Sequence, residues 1–318
     1  MDRDVQQRQG RGRSKLILVS LVILTLIFAV YLFASYRTQS DAQIIGSVVK
    51  DKQYPPLAIG EYDKFGRLVM HPNKIQVSCP PQTEDMAVLL AIGQSNSANY
   101  AEKKFTTEHP KQVFNYFEGK CYIASSPLLG ANNEEGEFIT PLADNLIKSG
   151  AYKSVVIISS GIGGTSISRW QKNGDLNDIL LGVLETLKNT YKITEVIWHQ
   201  GESDFANGMS TNNYVDAFHS LLGTLEAANV KASAYIAVAT KCGNNPMWTA
   251  DNSIATAQKN LVDNKRIFSG ANTDVLLGEE DRRKEDDCHL SERGQYKAAA
   301  AYADSVNRAR QVNQIQYW

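Results

Sequence analysis

The sequence predicts an α/β protein in which a mostly parallel sheet lies between two layers of helices. Short apolar segments alternate along the chain with longer segments of helical periodicity, and glycines mark the ends of several apolar segments. Strands that are buried on both faces of a parallel sheet have continuous apolar runs of this kind. Polar clusters follow these runs, so we expect the clusters to gather at the carboxyl edge of the sheet.

The apolar segments predict six strands, and the periodic segments predict five helices. Leu176, Ile179 and Leu180, for example, recur at the spacing of one helix face. The predicted strands are 86–92, 113–117, 155–159, 194–198, 234–239 and 266–269. The predicted helices are 140–149, 176–191, 214–228, 254–263 and 293–310. We expect a hairpin near 59–69 and, apart from one short strand, a long loop region over 101–136.

The N-terminal part of the chain predicts a membrane anchor. Residues 16–36 carry no charged side chain, and at helical rise they cover roughly 31 Å, close to the thickness of a hydrocarbon core. A cleaved signal peptide is the alternative, although its apolar region usually has about 7–15 residues. Residues 1–15 contain five basic and two acidic side chains, which places the N-terminus in the cytoplasm.

The predicted anchor divides the chain into four parts. These are a cytoplasmic basic tail at 1–15, a transmembrane signal anchor at 16–36, a stalk and lead-in at 37–84, and a globular domain at 85–318. The globular domain would then be periplasmic, extracellular or luminal. The net charge of −1 gives no reason to expect nucleic acid as a partner.

An external location permits disulfides between the four cysteines. Three pairings are possible, and the sequence alone does not choose among them. We favour Cys79–Cys121 and Cys242–Cys288, because the second pair would brace the loop that holds His289. The cysteines and histidines lack the spacing of a zinc site, so we expect no metal.

Ser95 is the candidate nucleophile. The apolar run 86–92 breaks at Gly93 and leads Ser95 into a tight turn before a polar segment. A serine at the carboxyl end of a parallel strand lies where ligands bind and is well placed to attack them. The alternative is an ordinary serine that caps the N-terminus of a helix.

His289 is the candidate base. Of the five histidines, His71 lies in the lead-in, His109 precedes a proline and His219 lies within a predicted helix, which leaves His199 and His289. Asp286 stands three residues before His289 and can turn back to orient its Nδ1–H, leaving Nε2 for a serine. The adjacent Asp287 is an alternative orienting acid, and a plain polar loop before the last helix is the non-catalytic interpretation.

Three groups could stabilise a developing oxyanion. The turn at Gly163 and Gly164 can direct backbone N–H groups towards one point, Gln200 offers a side-chain NH₂, and the Ser95 N–H is a third donor. An ordinary strand-to-helix turn is an equally simple explanation of the glycines.

Four motifs in order resemble the SGNH hydrolases, in particular the branch of sialate O-acetylesterase-like carbohydrate esterases. The motifs are GQSN at 93–96, GGTSI at 163–167 with Trp170, WHQGESD at 198–204 and DDCHL at 286–290. The resemblance covers roughly 86–310 and implies a three-layer, flavodoxin-like fold. Two positions depart from the family pattern, since Asp287 stands where glycine is common and Cys288 is unusual.

The resemblance implies a serine esterase that removes O-acetyl groups from a carbohydrate without metal or cofactor. Ser95 would be the nucleophile, His289 the general base and Asp286 its orienting acid. The Ser95 N–H, the Gly163 or Gly164 N–H and the Gln200 side chain would form the oxyanion hole. The candidates for holding the sugar are Asn96, Arg169, Trp170 and Glu202.

Several neighbouring predictions stay open at this level. We expect Glu202 and Asp204 to bond mainly within their loop, and His199 to form a wall of the site. A glycan O-acetyltransferase with the same triad, or an inactive carbohydrate-binding homologue, would share these motifs. The sugar itself is not encoded in any motif, so sialic acid, xylan, peptidoglycan and surface polysaccharides all remain candidates.

Overall fold

The computed structural model describes residues 59–243 and 252–315. The strands are β1 Glu61–Tyr62, β2 Leu68–Met70, β3 Gln76–Val77, β4 Met86–Gly93, β5 Val113–Phe117, β6 Lys120–Ile123, β7 Ser154–Ser159, β8 Glu195–His199, β9 Ser233–Val238 and β10 Ile267–Asn272. The helices are α1 Ile139–Lys148, α2 Asp175–Leu187, α3 Glu202–Ala206, α4 Thr211–Ala227, α5 Ser253–Asn260 and α6 Glu292–Ile315. All predicted strands and helices are present, with ends shifted by a few residues.

Eight of the strands form one sheet in the order β10-β9-β8-β4-β7-β5-β6-β3. The six strands from β10 to β5 are parallel, and only β6 and β3 run antiparallel to their neighbours. Strand β4 lies between β7 and β8, with Ala91 opposite Ser159 and Gly93 opposite His199. This register brings the carboxyl ends of three strands, and the polar clusters that follow them, to one edge of the sheet.

Strand β4 is buried along its whole length because both faces of the sheet are covered. Val88, Leu90 and Ile92 pack on the face covered by α2, α4 and α5. Ala87 and Leu89 point to the opposite face, which α1 and α6 cover. The alternation explains why the run is apolar at every position, and it confirms the predicted three-layer α/β arrangement with a mostly parallel sheet.

The segment 101–136 is more ordered than the sequence predicted. Strand β6 returns from β5 as a hairpin, and β3 of the lead-in pairs with β6 as the edge strand of the main sheet. No pattern in the sequence marks these strands, because they are two to four residues long and lie at an edge. The described part of the lead-in, from residue 59 onward, therefore packs within the same compact unit as the rest of the fold.

Both favoured disulfides are present. Cys79–Cys121 joins the lead-in to β6, and Cys242–Cys288 joins the loop after β9 to the loop of His289. The predicted tail at 1–15 and the predicted anchor at 16–36 lie outside the described residues. Within the two described ranges, no helix combines the length and apolar character that crossing a bilayer requires.

A buried carboxylate at the amino end of β8 makes the stability of the fold depend on pH. Tyr152 and Tyr235 both donate hydrogen bonds to Glu195, the second at 2.8 Å. Burial raises the pKa of Glu195 to about 7, although the two tyrosines act against this rise. The folded chain therefore binds a proton that the unfolded chain has already lost between about pH 4.5 and 7.

We expect a Glu195→Gln variant to gain stability relative to the wild type as the pH rises. The difference in the free energy of unfolding should grow by up to about 3 kcal/mol between pH 5 and pH 8, because the amide has no proton to lose. Urea unfolding at several pH values measures this difference. Glu185→Gln, at an exposed position, is the matched control and should show a constant difference. A constant difference for Glu195→Gln would contradict the prediction.

Candidate active site

Ser95 lies in a tight turn that the end of β4 fixes in place. Gly93 has a φ of +135°, and a Cβ there would lie 2.1 Å from the carbonyl oxygen of His199, so only glycine fits between β4 and β8. The Gln94 N–H donates to that same carbonyl at 3.0 Å. Ser95 then begins a 3₁₀ turn, Ser95–Ser97, and is 5% exposed. The capping position belongs to Gln94, so Ser95 is not the helix cap of the alternative interpretation.

His289 and Asp286 form the predicted pair. The Nδ1 atom of His289 lies 2.8 Å from Oδ2 of Asp286. The other oxygen, Oδ1, accepts the backbone N–H groups of Cys288 at 3.0 Å and His289 at 2.9 Å. Partial burial works to raise the pKa of Asp286, but these hydrogen bonds outweigh it and hold the pKa below its ordinary value. Asp286 is therefore ionised at neutral pH and fixes the orientation of the imidazole.

Asn96 connects the Ser95 turn to the loop of His289. Its Oδ1 accepts the Leu290 N–H at 3.1 Å, and its Nδ2 donates to the carbonyl of Cys288 at 3.4 Å. The residue that follows the candidate nucleophile thus holds both neighbours of the candidate base. This double contact ties the turn of Ser95 to the loop of His289 at the carboxyl edge of the sheet.

Tyr100 and Arg282 complete the support of His289, and neither was predicted. The ring of Tyr100 stacks on the imidazole, with 5.2 Å between the ring centres. Arg282 is buried, and its guanidinium donates to the carbonyls of Cys288, Thr273 and Leu276. No motif or spacing in the sequence marks these two residues. Tyr100 lies about 190 residues before His289 in the chain, and Arg282 acts through backbone carbonyls, which any sequence provides.

The glycine turn after β7 lies on the same side of the sheet. A Cβ on Gly163 would be 2.6 Å from the hydroxyl oxygen of Tyr100, so the turn packs directly against the ring that covers His289. The Ile162 N–H donates to the carbonyl of Gly93 at 3.0 Å, which ties the turn to the end of β4. Gly164 has a φ of +68°, a conformation in which glycine is strongly favoured. The structure therefore brings these glycines to the site, where the Gly163 N–H donates to Asn132 Oδ1 at 3.4 Å, and their part in an oxyanion hole stays a prediction.

Gln200 is placed differently from the prediction. It is fully buried, and its Nε2 donates to Asp204, to the Thr165 carbonyl at 3.0 Å and to Gln94 Oε1 at 3.3 Å. Since an NH₂ group has two hydrogens, these acceptors already occupy it. The amide braces three loops in this structure, and its part in an oxyanion hole stays a prediction.

Three of the candidate sugar contacts are buried or already paired with another side chain in this structure. Trp170 is fully buried, and its indole N–H donates to Thr165 at 3.1 Å, so it cannot reach a ligand and belongs to the core. Asn96 is also fully buried and is occupied by the loop of His289. Arg169 is exposed, but its guanidinium holds Asp175 at 2.9 and 2.6 Å.

Glu202 lies beneath the site instead of bonding within its own loop. Its Oε1 accepts the Asn96 Nδ2 at 3.2 Å, and Oε2 lacks a partner among the residues that the structure describes. Burial raises the pKa of Glu202 to about 7. The Nε2 of His199 is 4.0 Å from Oε1. Glu202 therefore lies between His199 and Asn96, the residue that bonds the loop of His289.

His199 is not a wall of the site, because it is fully buried against Phe138 and Tyr302. Burial lowers its pKa to about 3, so the imidazole is neutral. Asp204 was expected to bond within its loop and does accept from Gln200, but it also accepts the Ile167 N–H at 2.9 Å. It thereby joins the loop after β8 to the glycine turn after β7.

The profile of a known family matches most of the chain. The family is described as "Carbohydrate esterase, sialic acid-specific acetylesterase", and the match covers residues 85–308, which include Ser95, Asp286 and His289. The chain belongs to this family. The protein is therefore a carboxylic ester hydrolase, and at the level of the family its substrates are acetylated carbohydrates. The resemblance to sialate O-acetylesterase-like enzymes is confirmed.

Solved structures of several proteins are similar to this chain. A protein from Arabidopsis thaliana is similar to it with a TM-score of 0.55 and 14% identity over 72% of this chain and 99% of that one. NanS is similar with a TM-score of 0.47 and 14% identity over 71% and 98%. Est24, a carbohydrate acetylesterase from Sinorhizobium meliloti, is similar with a TM-score of 0.43 and 15% identity over 70% and 99%. The likeness to the Arabidopsis protein supports the fold. A search of curated proteins gave no significant match.

The two adjacent acids before His289 provide a direct test of the triad. Asp286→Asn should lower kcat by roughly 10³- to 10⁴-fold, because the amide no longer stabilises the imidazolium or selects the Nδ1–H tautomer. Asp287→Asn is the matched control and should stay close to the wild type, since the half-buried Asp287 bonds Arg283 and Gly243 through its backbone, while its side chain makes no hydrogen bond among the described residues. Initial rates on p-nitrophenyl acetate measure both. Equal losses in the two variants would contradict the assignment.

The two disulfides allow the bracing of the His289 loop to be separated from general stability. They close segments of similar length, with sequence separations of 42 and 46 residues, so their removal should cost similar stability. We expect Cys242→Ser with Cys288→Ser to lower kcat by about 10-fold or more, because His289 loses part of its positioning. Cys79→Ser with Cys121→Ser should leave kcat of the folded enzyme unchanged. Rates measured well below each melting temperature decide the matter, and equal rates would contradict the prediction.

Proposed function

We propose that the protein is a membrane-anchored serine esterase that hydrolyses O-acetyl groups of a carbohydrate through an acetyl-enzyme. The observation that carries this proposal is the hold of Asn96 on both neighbours of His289. Through it, a serine at the end of β4 and an Asp-oriented imidazole meet at one edge of the sheet. Serine hydrolases use this combination of nucleophile, base and orienting acid.

The proposed reaction has two steps that use the same groups. Ser95 Oγ attacks the carbonyl carbon of the acetyl group while its proton passes to Nε2 of His289. The imidazolium then gives this proton to the sugar oxygen as the ester bond breaks, which leaves an acetyl group on Ser95. A water molecule next attacks the acetyl-enzyme with His289 as base, and acetate leaves.

The charge that develops on the carbonyl oxygen is proposed to be held by backbone N–H groups. The Ser95 N–H and that of Gly163 or Gly164 come from the ends of two adjacent strands, β4 and β7. Fixed donors of this kind stabilise a transition state without reorganisation during the reaction. The ionised carboxylate of Asp286 stabilises the imidazolium that both steps require.

The location is part of the proposal. The uncharged segment 16–36, with the basic residues that precede it, supports a single span with the N-terminus in the cytoplasm and the esterase domain outside. The two disulfides are consistent with this, because disulfides persist in oxidising compartments. The O-acetylated substrate would then be a glycan of the periplasm, the cell surface or the secretory lumen.

Replacement of the proposed nucleophile tests the reaction. Ser95→Ala should reduce acetate release from p-nitrophenyl acetate by at least about 10³-fold and should abolish labelling by a fluorophosphonate. Ser97→Ala is the control in the same turn, where the hydroxyl donates only to the Gln94 carbonyl. It should retain activity and labelling. A Ser95→Ala variant with the wild-type rate would refute the proposal.

A panel of O-acetylated glycans tests the substrate class and the direction of acetyl transfer. Free acetate from a glycan, with a transient mass increase of one acetyl group on the Ser95 peptide, is the expected result. Acetyl groups that appear on an added acceptor glycan instead of in solution would identify a transferase. Hydrolysis of p-nitrophenyl acetate without release from any glycan would contradict a carbohydrate substrate.

A further inference from the structure

The lead-in hairpin of β1 and β2 lies outside the family match, yet it is joined to the site. Its Leu68 is fully buried, and the Leu68 N–H donates to the Ala131 carbonyl at 2.8 Å. The Gly130 N–H donates back to the carbonyl of Leu68, also at 2.8 Å. Arg67 and Asn132 form an isolated bridge next to these bonds. The hairpin is therefore a fixed part of the loop 130–132.

Asn132 passes this connection on to the catalytic edge. Its Nδ2 donates to the carbonyl of Gly66 in the hairpin turn at 2.6 Å. Its Oδ1 accepts the hydroxyl of Tyr100 and, at 3.4 Å, the N–H of Gly163. Since Tyr100 stacks on His289, only two side chains separate the hairpin turn from the proposed base.

Glu134 holds the start of the hairpin and keeps its negative charge. The carboxylate accepts the N–H of Ile59 at 3.1 Å and of Gly60 at 2.6 Å. Burial works to raise the pKa of Glu134, but these hydrogen bonds and one with Tyr62 outweigh it and lower the pKa. Burial and the Glu134 carboxylate together raise the pKa of Tyr62, and Tyr100 adds to the rise. Glu134 thus lies against the first residues of the hairpin, and Tyr62 follows Gly60 by two residues.

The ring of Tyr62 is open to solvent on the hairpin that Asn132 connects to Tyr100, the residue that stacks on His289. Its exposed fraction is 36%, which is high for a side chain whose hydroxyl end is held by a neighbour. A sugar ring has an apolar face that packs on an aromatic ring and hydroxyl groups that donate to a carboxylate. We propose that Tyr62 and Glu134 form a subsite for an uncharged pyranose ring of the acetylated glycan, and this rests on the proposed function.

The charges around the subsite favour an uncharged sugar over an acidic one. Glu134 would repel the carboxylate of a sialic acid. The nearest arginines are already paired, because Arg283 contacts Glu135 and Arg67 contacts Asp63 at 2.7 Å. Lys64 is a further cation of the hairpin, and its ammonium lies 4.8 Å above the ring centre of Phe65.

Tyr62→Ala is the principal test, with Met70→Ala as the matched control on the same hairpin, where Met70 is 40% exposed. The substrates are acetylated xylotetraose, O-acetylated N-acetylneuraminic acid and p-nitrophenyl acetate. Tyr62→Ala should raise KM for acetylated xylotetraose about 5- to 10-fold with little change in kcat, because a stacking contact is lost. Its activity on p-nitrophenyl acetate and all activities of Met70→Ala should match the wild type.

Two further variants test the preference for an uncharged ring. In the wild type, kcat/KM should be higher for acetylated xylotetraose than for the acetylated sialic acid, and Glu134→Gln should narrow this ratio by removing a negative charge. Lys64→Ala should change neither value. A wild type that prefers the acidic sugar and loses this preference in Lys64→Ala would overturn the proposed selectivity.

The outcomes separate failure of the subsite from failure of the proposed function. Equal loss on the glycan and on p-nitrophenyl acetate in Tyr62→Ala would show that the hairpin only supports the fold, which overturns the subsite. Unchanged kinetics on the glycan would overturn it as well. If the wild type hydrolyses p-nitrophenyl acetate but none of the acetylated sugars, the carbohydrate function itself fails.

Discussion

The two hydrogen bonds from Asn96 to the loop of His289 are the contact on which the site depends. The candidate nucleophile and the candidate base lie on two loops that are far apart in the chain, and their geometry needs a fixed link. Asn96 and Leu290, which form this link, are 194 residues apart. Asn96 is fully buried, so water cannot replace the hydrogen-bond partners of its amide. Loss of one partner would leave a buried polar group unpaired, at a cost of about 1–3 kcal/mol. The geometry of the site thus depends on the side-chain amide of Asn96, which is not one of the proposed catalytic groups.

Buried polar groups beneath this link strengthen it. Glu202 accepts from Asn96, and Arg282 donates to the same Cys288 carbonyl that Asn96 contacts. In a region from which water is excluded, such hydrogen bonds are stronger and mispaired alternatives are more costly. Three side chains of the WHQGESD motif, those of Gln200, Glu202 and Asp204, are buried beneath the site. The motif lies next to the turn of Ser95 because the Gly201 and Ser203 N–H groups donate to the side chain of Gln94.

The lead-in shows that the working unit is larger than the segment that matches the family. Strand β3 closes the edge of the sheet, Cys79–Cys121 fastens it, and the β1–β2 hairpin reaches Tyr100 through Asn132. The family segment supplies the ester chemistry, whereas additions at its edge can adapt which sugar is held. The proposed Tyr62 subsite places recognition in this added element.

The sequence by itself determined the layered fold and the contact of Asp286 with His289, because these depend on local patterns: apolar runs, helical periodicity, glycine at strand ends and an acid three residues before a histidine. The catalytic roles of Ser95 and His289 stay predictions. The sequence also led to the choice of Asp286 over Asp287, which the contacts of both oxygens with the loop confirm. Only the tertiary structure decided the roles of Trp170, Gln200 and Glu202, since burial is not visible in a motif and all three side chains point away from solvent. It alone revealed Tyr100, Asn132 and the hairpin beside them, because contacts between distant segments leave no periodic signal in a single sequence.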